Sequence, residues 1–225
     1  MASESKLYTE PWGFSKMETY KDCKKKFYFQ YIKKLPSPGN AAMERGGKIH
    51  ETAEAYLQGW ITSLPADQID PVWQPRLDEL RHKPLFVSEQ AIGLDSQWKP
   101  LKNWFQQETW IRAKMDADYF EEQTVEVIDF KTGKYRVPSD EQIELYAIVG
   151  LSKHPSATKA RAEYWFFDMD DVYTKEYTAE YLVARRKYYE EFAAKLYSTE
   201  VWVEEPSREC KWCPYSKTKG GPCKY

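Results

Sequence analysis

The sequence predicts an α/β fold in which helices flank a mixed central β-sheet. The first observation is the order of the patterns along the chain: helical segments, three strand-like segments, a helix, two strands, a helix and a Cys-rich tail. The second is the enrichment of the strand-like segments in β-branched and aromatic residues. Such an order places helices on the faces of one sheet. The predicted strands span residues 85–92, 109–120, 124–131, 161–169 and 172–177.

The helical segments lie before, between and after these strands. Ser15-x-x-Glu18 is typical of a capping box and predicts a helix through about residue 32. The four prolines between residues 61 and 84 predict loop with short helical pieces. Further helices are predicted at 41–60, at 139–151 with Ser139 as the cap, and at 178–198. We expect a single domain over 1–225, with a helical part (1–84), a sheet core carrying the functional site (85–177), and a helix with a Cys-rich tail (178–225).

Composition excludes several classes of protein. The chain has 225 residues, of which 42% are hydrophobic and 30% charged, so it can bury a core. A net charge of -2 excludes the broad basic surface of a non-specific duplex binder. No run approaches the roughly 20 apolar residues of a membrane span, and the N-terminus has no signal-peptide core. We therefore expect a cytoplasmic protein without a membrane partner, in which the four cysteines are metal ligands or free thiols rather than disulfides.

The stretch Val127-Ile-Asp-Phe-Lys-Thr-Gly133 carries the strongest chemical signal. Residues two apart in a strand share a face, so Asp129 and Lys131 project from the same side, roughly 7 Å apart. An acid and an amine held in this way suit metal-assisted hydrolysis. The acid would hold a divalent cation, and the lysine would contact the water or the phosphate. An isolated Asp-x-Lys is more often a solvated ion pair at a strand end, so neighbouring residues decide between these interpretations.

Two more acids lie on the preceding predicted strand. Asp116 and Asp118 share a face, and the turn at residues 121–123 predicts antiparallel pairing with the strand of Asp129. One of them can then lie beside Asp129. Because adjacent carboxylates repel each other, a bound cation would stabilise the pair. The alternative is that both line a solvated sheet face.

Further candidates lie on predicted helices. His50 follows Gly46 by four residues, and Gln142 and Tyr146 share one helix face. Taken singly, such a histidine is usually structural or solvated, and such a tyrosine usually packs in a core.

Taken in order, these residues resemble the RecB-type branch of the PD-(D/E)xK nuclease superfamily. The opening also resembles this family, since Ser15, Tyr20, Cys23 and Phe27 fit its S-x-x-x-x-Y-x-x-C-x-x-x-F signature. The resemblance implies a restriction-endonuclease-like core. It also implies that Asp116, Asp129 and the carbonyl of Phe130 hold Mg²⁺ or Mn²⁺, that His50 completes the metal shell, that Lys131 activates the attacking water, and that Gln142 and Tyr146 position DNA.

One departure from the family leaves two choices open. The family often has a glycine three residues before the first aspartate, where this chain has Ala113. Asp118 therefore stays a rival to Asp116. Glu89 is a candidate outer carboxylate, although an exposed strand residue is the preferred interpretation.

The four cysteines form a second constellation. Cys210-x-x-Cys213 and Cys223 lie in the tail, and Cys23 lies near the start. Their spacing allows either tetrahedral zinc or a [4Fe–4S] cluster. The resemblance to AddB-type and CRISPR-adaptation nucleases favours [4Fe–4S], as a staple that ties the first helix to the C-terminal tail.

The implied function is a metal-dependent DNA exonuclease, acting on single-stranded or end-frayed DNA in recombination, repair or phage DNA processing. The partner is DNA, and a homo-oligomer, a helicase or recombinase partner and a phage-encoded origin are further possibilities. One alternative is a CRISPR spacer-processing nuclease. Others are a non-catalytic nucleic-acid-binding or scaffold protein on a degenerate nuclease fold, and a zinc-stabilised interaction domain.

Overall fold

The computed structural model describes residues 7–133 and 139–225. The chain divides into two compact units, each described by itself below. The first unit comprises residues 1–39 and 187–225, and the second comprises residues 40–186. A single domain over 1–225 stays a prediction, and residues 1–6 and 134–138 of that range lie outside the described residues.

The second unit contains the predicted mixed sheet. Its five strands are ordered as in the sequence, with β3 and β4 parallel and the other neighbours antiparallel. The strands are β1 (Val87–Leu94), β2 (Ile111–Glu121), β3 (Thr124–Lys131), β4 (Lys159–Phe166) and β5 (Asp171–Thr178). The α/β prediction is therefore confirmed, with strand ends that differ from the predicted ones by a few residues.

A tight turn fixes the register of β2 and β3. Its two residues, Glu122 and Gln123, both have positive φ, 47° and 63°. That is the backbone of a two-residue hairpin turn whose twist matches the flanking strands. Ala117 is consequently paired with Ile128, the last pair of the ladder, and the same register continued by one residue brings Asp116 opposite Asp129.

The parallel pair is connected by helix α5 (Asp140–Lys153), most of which is buried. Ser139 occupies the predicted N-cap position, but its side chain makes no capping hydrogen bond. A Cβ added to Gly150 would lie 3.0 Å from side-chain atoms of Val125 and Val127. Glycine at this position therefore lets α5 pack closely on β3, the strand that carries Asp129.

Two more helices of the second unit pack with the sheet around a shared core. Helix α3 (Ala41–Leu57) begins at Asn40, whose side chain accepts a hydrogen bond from Met43 N–H at 3.0 Å. It ends three residues before the predicted limit, because Gly59 takes a positive φ of 76° and Trp60 N–H donates back to Ala55. These bonds form a glycine C-cap motif. A 3₁₀ turn (Pro71–Trp73) and α4 (Gln74–Leu80) follow.

The helices and the sheet share one hydrophobic core. It includes Ile49, Tyr56, Trp73, Leu77, Ile128, Phe130 and Trp165.

In the first unit the predicted helix over 15–32 is broken. Helix α1 (Phe14–Asp22) starts one residue before Ser15, so Ser15 lies in its first turn and the predicted capping box is wrong. Cys23 takes an extended conformation (φ -167°, ψ 116°). Helix α2 (Lys24–Phe27) then continues as a π-helical turn (Tyr28–Ile32).

The C-terminal part of the chain matches its prediction more closely. Helix α6 (Ala179–Tyr197) is followed by an irregular tail with short 3₁₀ turns at Arg208–Lys211 and Lys217–Lys219. Ser207 begins the first turn by accepting a hydrogen bond from Glu209 N–H. The Sγ of Cys210 accepts from Ser207 N–H at 3.4 Å.

Candidate active site

Asp116 links β2, β3 and α3. One carboxylate oxygen, Oδ2, accepts a hydrogen bond from the backbone N–H of Phe130 at 2.6 Å. The other, Oδ1, lies 2.9 Å from Nδ1 of His50. The hairpin register thus holds Asp116 against the strand of Asp129, while the helix supplies the imidazole.

Gly46 allows the helix of His50 to approach the end of β3. A Cβ added at this glycine would lie 3.2 Å from Oγ1 of Thr132, tighter than most real Cβ contacts. The predicted Gly-x-x-x-His spacing therefore places a small residue at the close approach and the histidine one turn later.

The histidine is held in an acidic environment. Burial by itself would lower the pKa of His50, but the hydrogen bond to Asp116 and the charges of Asp116, Asp129 and Glu89 raise the pKa overall.

Asp129 and Lys131 form the predicted pair. Nζ of Lys131 lies 2.6 Å from Oδ2 of Asp129, whose side chain is 9% exposed. Burial raises the pKa of Asp129 to about 6, against the attraction of Lys131 and with a further contribution from the charge of Asp116. Asp116 and Asp129 thus lie close together with one lysine, and a cation would offset their repulsion.

Gln142 connects the members of this pair. Its Oε1 accepts a hydrogen bond from Lys131 Nζ at 2.9 Å, and its Nε2 donates to Asp129 Oδ1 at 3.1 Å. Nε2 also lies 3.4 Å from the hydroxyl of Tyr146, which is partly buried beside the acids and has a raised pKa because of that burial. In the structure, both residues predicted to position DNA therefore contact the site's own side chains.

Tyr164 on β4 was not predicted. Its hydroxyl, which has one proton to donate, lies 2.9 Å from the Ser139 carbonyl and 3.1 Å from Gln142 Oε1, both acceptors. Its ring centroid lies 4.7 Å from Lys131 Nζ, within cation–π range. The parallel register pairs Tyr164 with Asp129, and this long-range pairing is not visible in the local sequence.

The preferred interpretation of Glu89 as an exposed strand residue is wrong, because its side chain is only 8% exposed. The β1–β2 register places it opposite Asp116, and its backbone has a positive φ of 54°. Ligand atoms of His50, Glu89 and Asp116 all lie within 4.8 Å of one another. Burial raises the pKa of Glu89, an ion pair with Lys114 opposes this, and the charge of Asp116 adds to it.

Asp118, the rival of Asp116, lies in different surroundings on the same strand. Its carboxylate is fully buried and pairs with Lys153 at the end of α5, at 2.5 Å. The ligand group formed by His50 and Glu89 includes Asp116 but neither Asp118 nor Asp129.

The donor set fits a hard divalent cation. His50, Glu89 and Asp116 bring their ligand atoms together, while the carboxylate of Asp129 and the backbone carbonyl of Phe130, on the neighbouring strand, lie outside that group. Carboxylate oxygens with one imidazole are donors that suit Mg²⁺ and Mn²⁺. Burial raises the pKa of Asp129 and of Glu89, although each has a lysine partner. A cation would offset this effect of burial.

All four cysteines of the first unit line one cavity of about 110 Å³. Each is partly buried, and none forms a disulfide. Burial raises the pKa of the Cys213 thiol, and the nearby Lys26 opposes this. Among the described residues, which include all four cysteines, no three of their sulfur atoms lie within 4.8 Å of one another.

Acids, a histidine and a lysine meet at the end of the β2–β3 hairpin that is remote from its turn. This arrangement suits a metal-dependent phosphodiester hydrolase on an α/β sheet. The chain belongs to the PD-(D/E)XK nuclease superfamily, whose family model matches residues 11–218. Members of this superfamily use divalent metals to cleave nucleic acids.

Solved structures with which the chain aligns include the following two. The crystal structure of a "Putative exonuclease" from Eubacterium rectale has a TM-score of 0.53 at 11% identity, covering 94% of this chain and 87% of that one. The crystal structure of the protein SSO0001 has a TM-score of 0.46 at 15% identity, covering 92% and 85%. At 11% identity the first likeness supports the fold alone.

Two further comparisons gave negative results. No curated protein sequence matches the chain significantly. Within residues 7–133 and 139–225, no helix is both long and apolar enough to cross a membrane.

Proposed function

We propose that this chain is a metal-dependent exodeoxyribonuclease of the RecB-type branch, acting on single-stranded or end-frayed DNA. The observation that carries the proposal is the set of hydrogen-bonded side chains at the end of the β2–β3 hairpin that is remote from its turn. Lys131 is held between Asp129 and Gln142, beside the Asp116–His50 pair. A lysine held by an acid and an amide next to further metal ligands suits activation of a water molecule.

The cation would be held by His50, Asp116, Asp129 and the carbonyl of Phe130, with Glu89 as an additional carboxylate. When bound, Mg²⁺ or Mn²⁺ would lower the pKa of a ligated water and stabilise the charge that develops on the scissile phosphate.

The protein's own groups prepare the site for this chemistry. The Phe130 N–H fixes the orientation of the Asp116 carboxylate. Gln142 keeps the Lys131 amine close to Asp129, where the amine can orient the attacking water and donate a hydrogen bond to the phosphate. The ring of Tyr164 contacts the Lys131 amine by a cation–π interaction. These contacts hold the reacting groups before substrate arrives, which lowers the cost of reaching the transition state.

The alternative of a non-catalytic scaffold on a degenerate nuclease fold is less well supported. Such a protein has no need to retain a complete acid and lysine set, and here each member contacts another member of the site. A CRISPR spacer-processing role would use the same chemistry. That role, a homo-oligomer, and a helicase or recombinase partner stay predictions from the resemblance.

For the four cysteines we propose a structural [4Fe–4S] cluster, with zinc as the alternative. A tetrahedral zinc site with Zn–S bonds of about 2.3 Å brings its sulfurs within about 3.8 Å of one another. Here no three of the sulfur atoms lie within 4.8 Å of one another and all four surround a cavity, which supports a larger group. Metal analysis of anaerobically purified protein tests this. Four iron atoms per chain, lost in Cys23→Ser, is the expected result, and stoichiometric zinc would contradict it.

The nuclease proposal is tested with end-labelled linear and covalently closed single-stranded DNA in Mn²⁺. We expect the wild type to degrade only the linear substrate, and Asp129→Ala to degrade neither. Asp67→Ala, an exposed acid outside the site, is the matched control and should retain activity. Cleavage of closed circles would refute the exonuclease assignment. Undiminished cleavage by Asp129→Ala would refute the site.

A further inference from the structure

The connection between β1 and β2 folds back over the sheet face that carries Asp116. In the ladder, Gly93 is paired with Arg112, so both positions point to the same face. A Cβ added at Gly93 would lie 2.8 Å from the Cα of Trp104, closer than real Cβ atoms approach. Glycine is therefore required for the connection to lie this close to the strand.

This position is near the proposed active site. Arg112 precedes Asp116 by four residues in β2, so the two side chains share a face about 13 Å apart along the strand. Lys114 lies between them on that face, forms an ion pair with Glu89, and keeps 57% of its side chain exposed. A substrate strand that leaves Asp116 in this direction passes Lys114 and reaches the connection after a few nucleotides.

The connection has a fixed shape. Its backbone is hydrogen-bonded to β1 at Leu101 and at Trp110, and further hydrogen bonds form within the connection. The bonds run from Leu101 N–H to the Gly93 carbonyl, Trp110 N–H to the Leu94 carbonyl, Phe105 N–H to Asn103 Oδ1, and Thr109 N–H to the Gln106 carbonyl, all between 2.8 and 3.1 Å. Because the backbone is held, the side chains of the connection need little ordering when they bind a partner.

An aromatic ring is presented to solvent on this rigid support. Phe105 is 76% exposed, more than any other large hydrophobic residue of the described ranges. The Arg112 guanidinium lies 5.6 Å from the Phe105 ring and 5.8 Å from the Trp104 ring, and Arg112 Nε donates to the Trp104 carbonyl at 2.9 Å. The two rings meet edge to face at 5.9 Å. We call Trp104, Phe105 and Arg112 the aromatic platform.

The local charge favours a phosphate-bearing partner. Residues 95–114 contain four basic and two acidic residues, in a chain whose net charge is -2. Basic side chains combined with exposed rings are the means by which proteins bind single-stranded nucleic acids, because phosphates meet cations and bases stack on the rings. The faces of bases inside a duplex are already stacked on their neighbours, so a single strand is the better match.

We propose that the aromatic platform stacks a base of a single-stranded DNA substrate a few nucleotides from the scissile phosphate. This inference rests on the proposed function and specifies its substrate as single-stranded DNA. Arg112 holds the Phe105 ring from one side and supplies positive charge for the adjacent phosphate. The platform thereby directs an unpaired strand across Lys114 toward Asp116 and Asp129.

Binding tests the platform independently of cleavage. We would measure the affinity for labelled oligothymidylate by fluorescence anisotropy in an Asp129→Ala background, which keeps the DNA intact. Phe105→Ala should bind about tenfold more weakly, within the range measured for loss of one stacked base, and Phe105→Tyr should bind within about twofold of the parent. Trp60→Ala is the matched control, since Trp60 is 71% exposed and lies beyond the end of α3, about 15 Å along the helix from His50. It should leave the affinity unchanged.

A fluorescent base and a duplex of equal length separate stacking from other contacts. A 2-aminopurine scanned along the strand should be quenched at one position by the parent, and this quenching should disappear in Phe105→Ala. Unchanged affinity of Phe105→Ala for the single strand would overturn the platform, as would an equal loss on the duplex, which indicates a backbone contact. If Phe105 contributes to binding but protein with Asp129 intact cleaves no DNA, the platform stands and the exonuclease proposal fails.

Discussion

Two buried aspartates on the same sheet face, Asp118 and Asp129, each pair with a lysine, and the surroundings of the two pairs differ. Asp118 is fully buried, and its partner Lys153 also contacts Gln90, so this pair is closed off by α5 and β1. Asp129 pairs with Lys131, whose side chain is 30% exposed, and the carboxylates and imidazole of the candidate site lie beside it. An acid–lysine pair is therefore not itself a catalytic feature. The Asp129–Lys131 pair differs because further candidate ligands lie beside it and because its lysine is accessible to solvent.

We call Asp129–Lys131 the open pair and Asp118–Lys153 the closed pair. The largest expected effect follows from removing the lysine of the open pair. Lys131→Ala should reduce single-turnover DNA cleavage by roughly 10³-fold, because the amine that orients the water is lost. Its melting temperature in Mn²⁺ should stay close to that of the wild type, because Lys131 is partly exposed and a bound cation would compensate the buried Asp129 carboxylate. Cleavage and thermal unfolding measured on the same preparation check both expectations. Cleavage within tenfold of the wild type would contradict the role of Lys131.

The corresponding change in the closed pair should affect stability instead. Lys153→Ala leaves the fully buried Asp118 without its cation, which costs roughly 3–5 kcal/mol of unfolding free energy. Adding Asp118→Asn to this variant should recover part of the loss, because the uncompensated charge is removed. Equilibrium unfolding of both variants measures the recovery. If Lys153→Ala keeps full stability but loses cleavage, the distinction between the two pairs is wrong.

The sequence was sufficient for the features that depend on local spacing. The strand over 124–131 and the shared face of Asp129 and Lys131 follow from the period-two rule, and the mixed sheet follows from the order of the segments. Asp116 required one further step, the hairpin register, which the turn at Glu122 and Gln123 fixes.

Other features depend on partners that are distant in sequence. Glu89 reaches His50 and Asp116 through the β1–β2 register and a positive φ, which no local pattern in a strand predicts for glutamate. The predicted first helix breaks at Cys23 because backbone N–H groups find other acceptors: Lys24 donates to the Glu205 carboxylate and Lys25 to the Val203 carbonyl. Tertiary contacts override helix propensity at such a point.

A smaller effect is expected from the residue that holds the open pair in place. Gln142→Ala removes the acceptor of Lys131 and the donor to Asp129, so cleavage should fall by about 10- to 100-fold, as for other residues that orient catalytic groups. The pH profile of cleavage should also shift, because the amine and carboxylate lose a shared neighbour. A merely structural role would lower the melting temperature and leave the pH profile of the folded enzyme unchanged.

The smallest expected effect concerns a third buried acid, which has no comparable partner. Glu126 lies on β3 but on the opposite sheet face from Asp129. Burial raises its pKa to about 7, against the attraction of Arg161 at 3.9 Å and with contributions from Glu163 and Glu176.

Because the folded-state pKa of Glu126 lies above the unfolded value near 4.5, the folded protein binds the proton more tightly. Stability should therefore fall as the pH rises from about 4.5 to about 7, and the penalty is complete above that range. Glu126→Gln removes this penalty but also the attraction to Arg161, so we expect a net gain of about 1 kcal/mol at pH 8 and none at pH 4. This gain corresponds to a rise of about 2–4 °C in the melting temperature. Glu122→Gln in the exposed turn is the matched control and should change neither value. A gain of equal size at both pH values would show that packing, not the charge of Glu126, limits stability at this position.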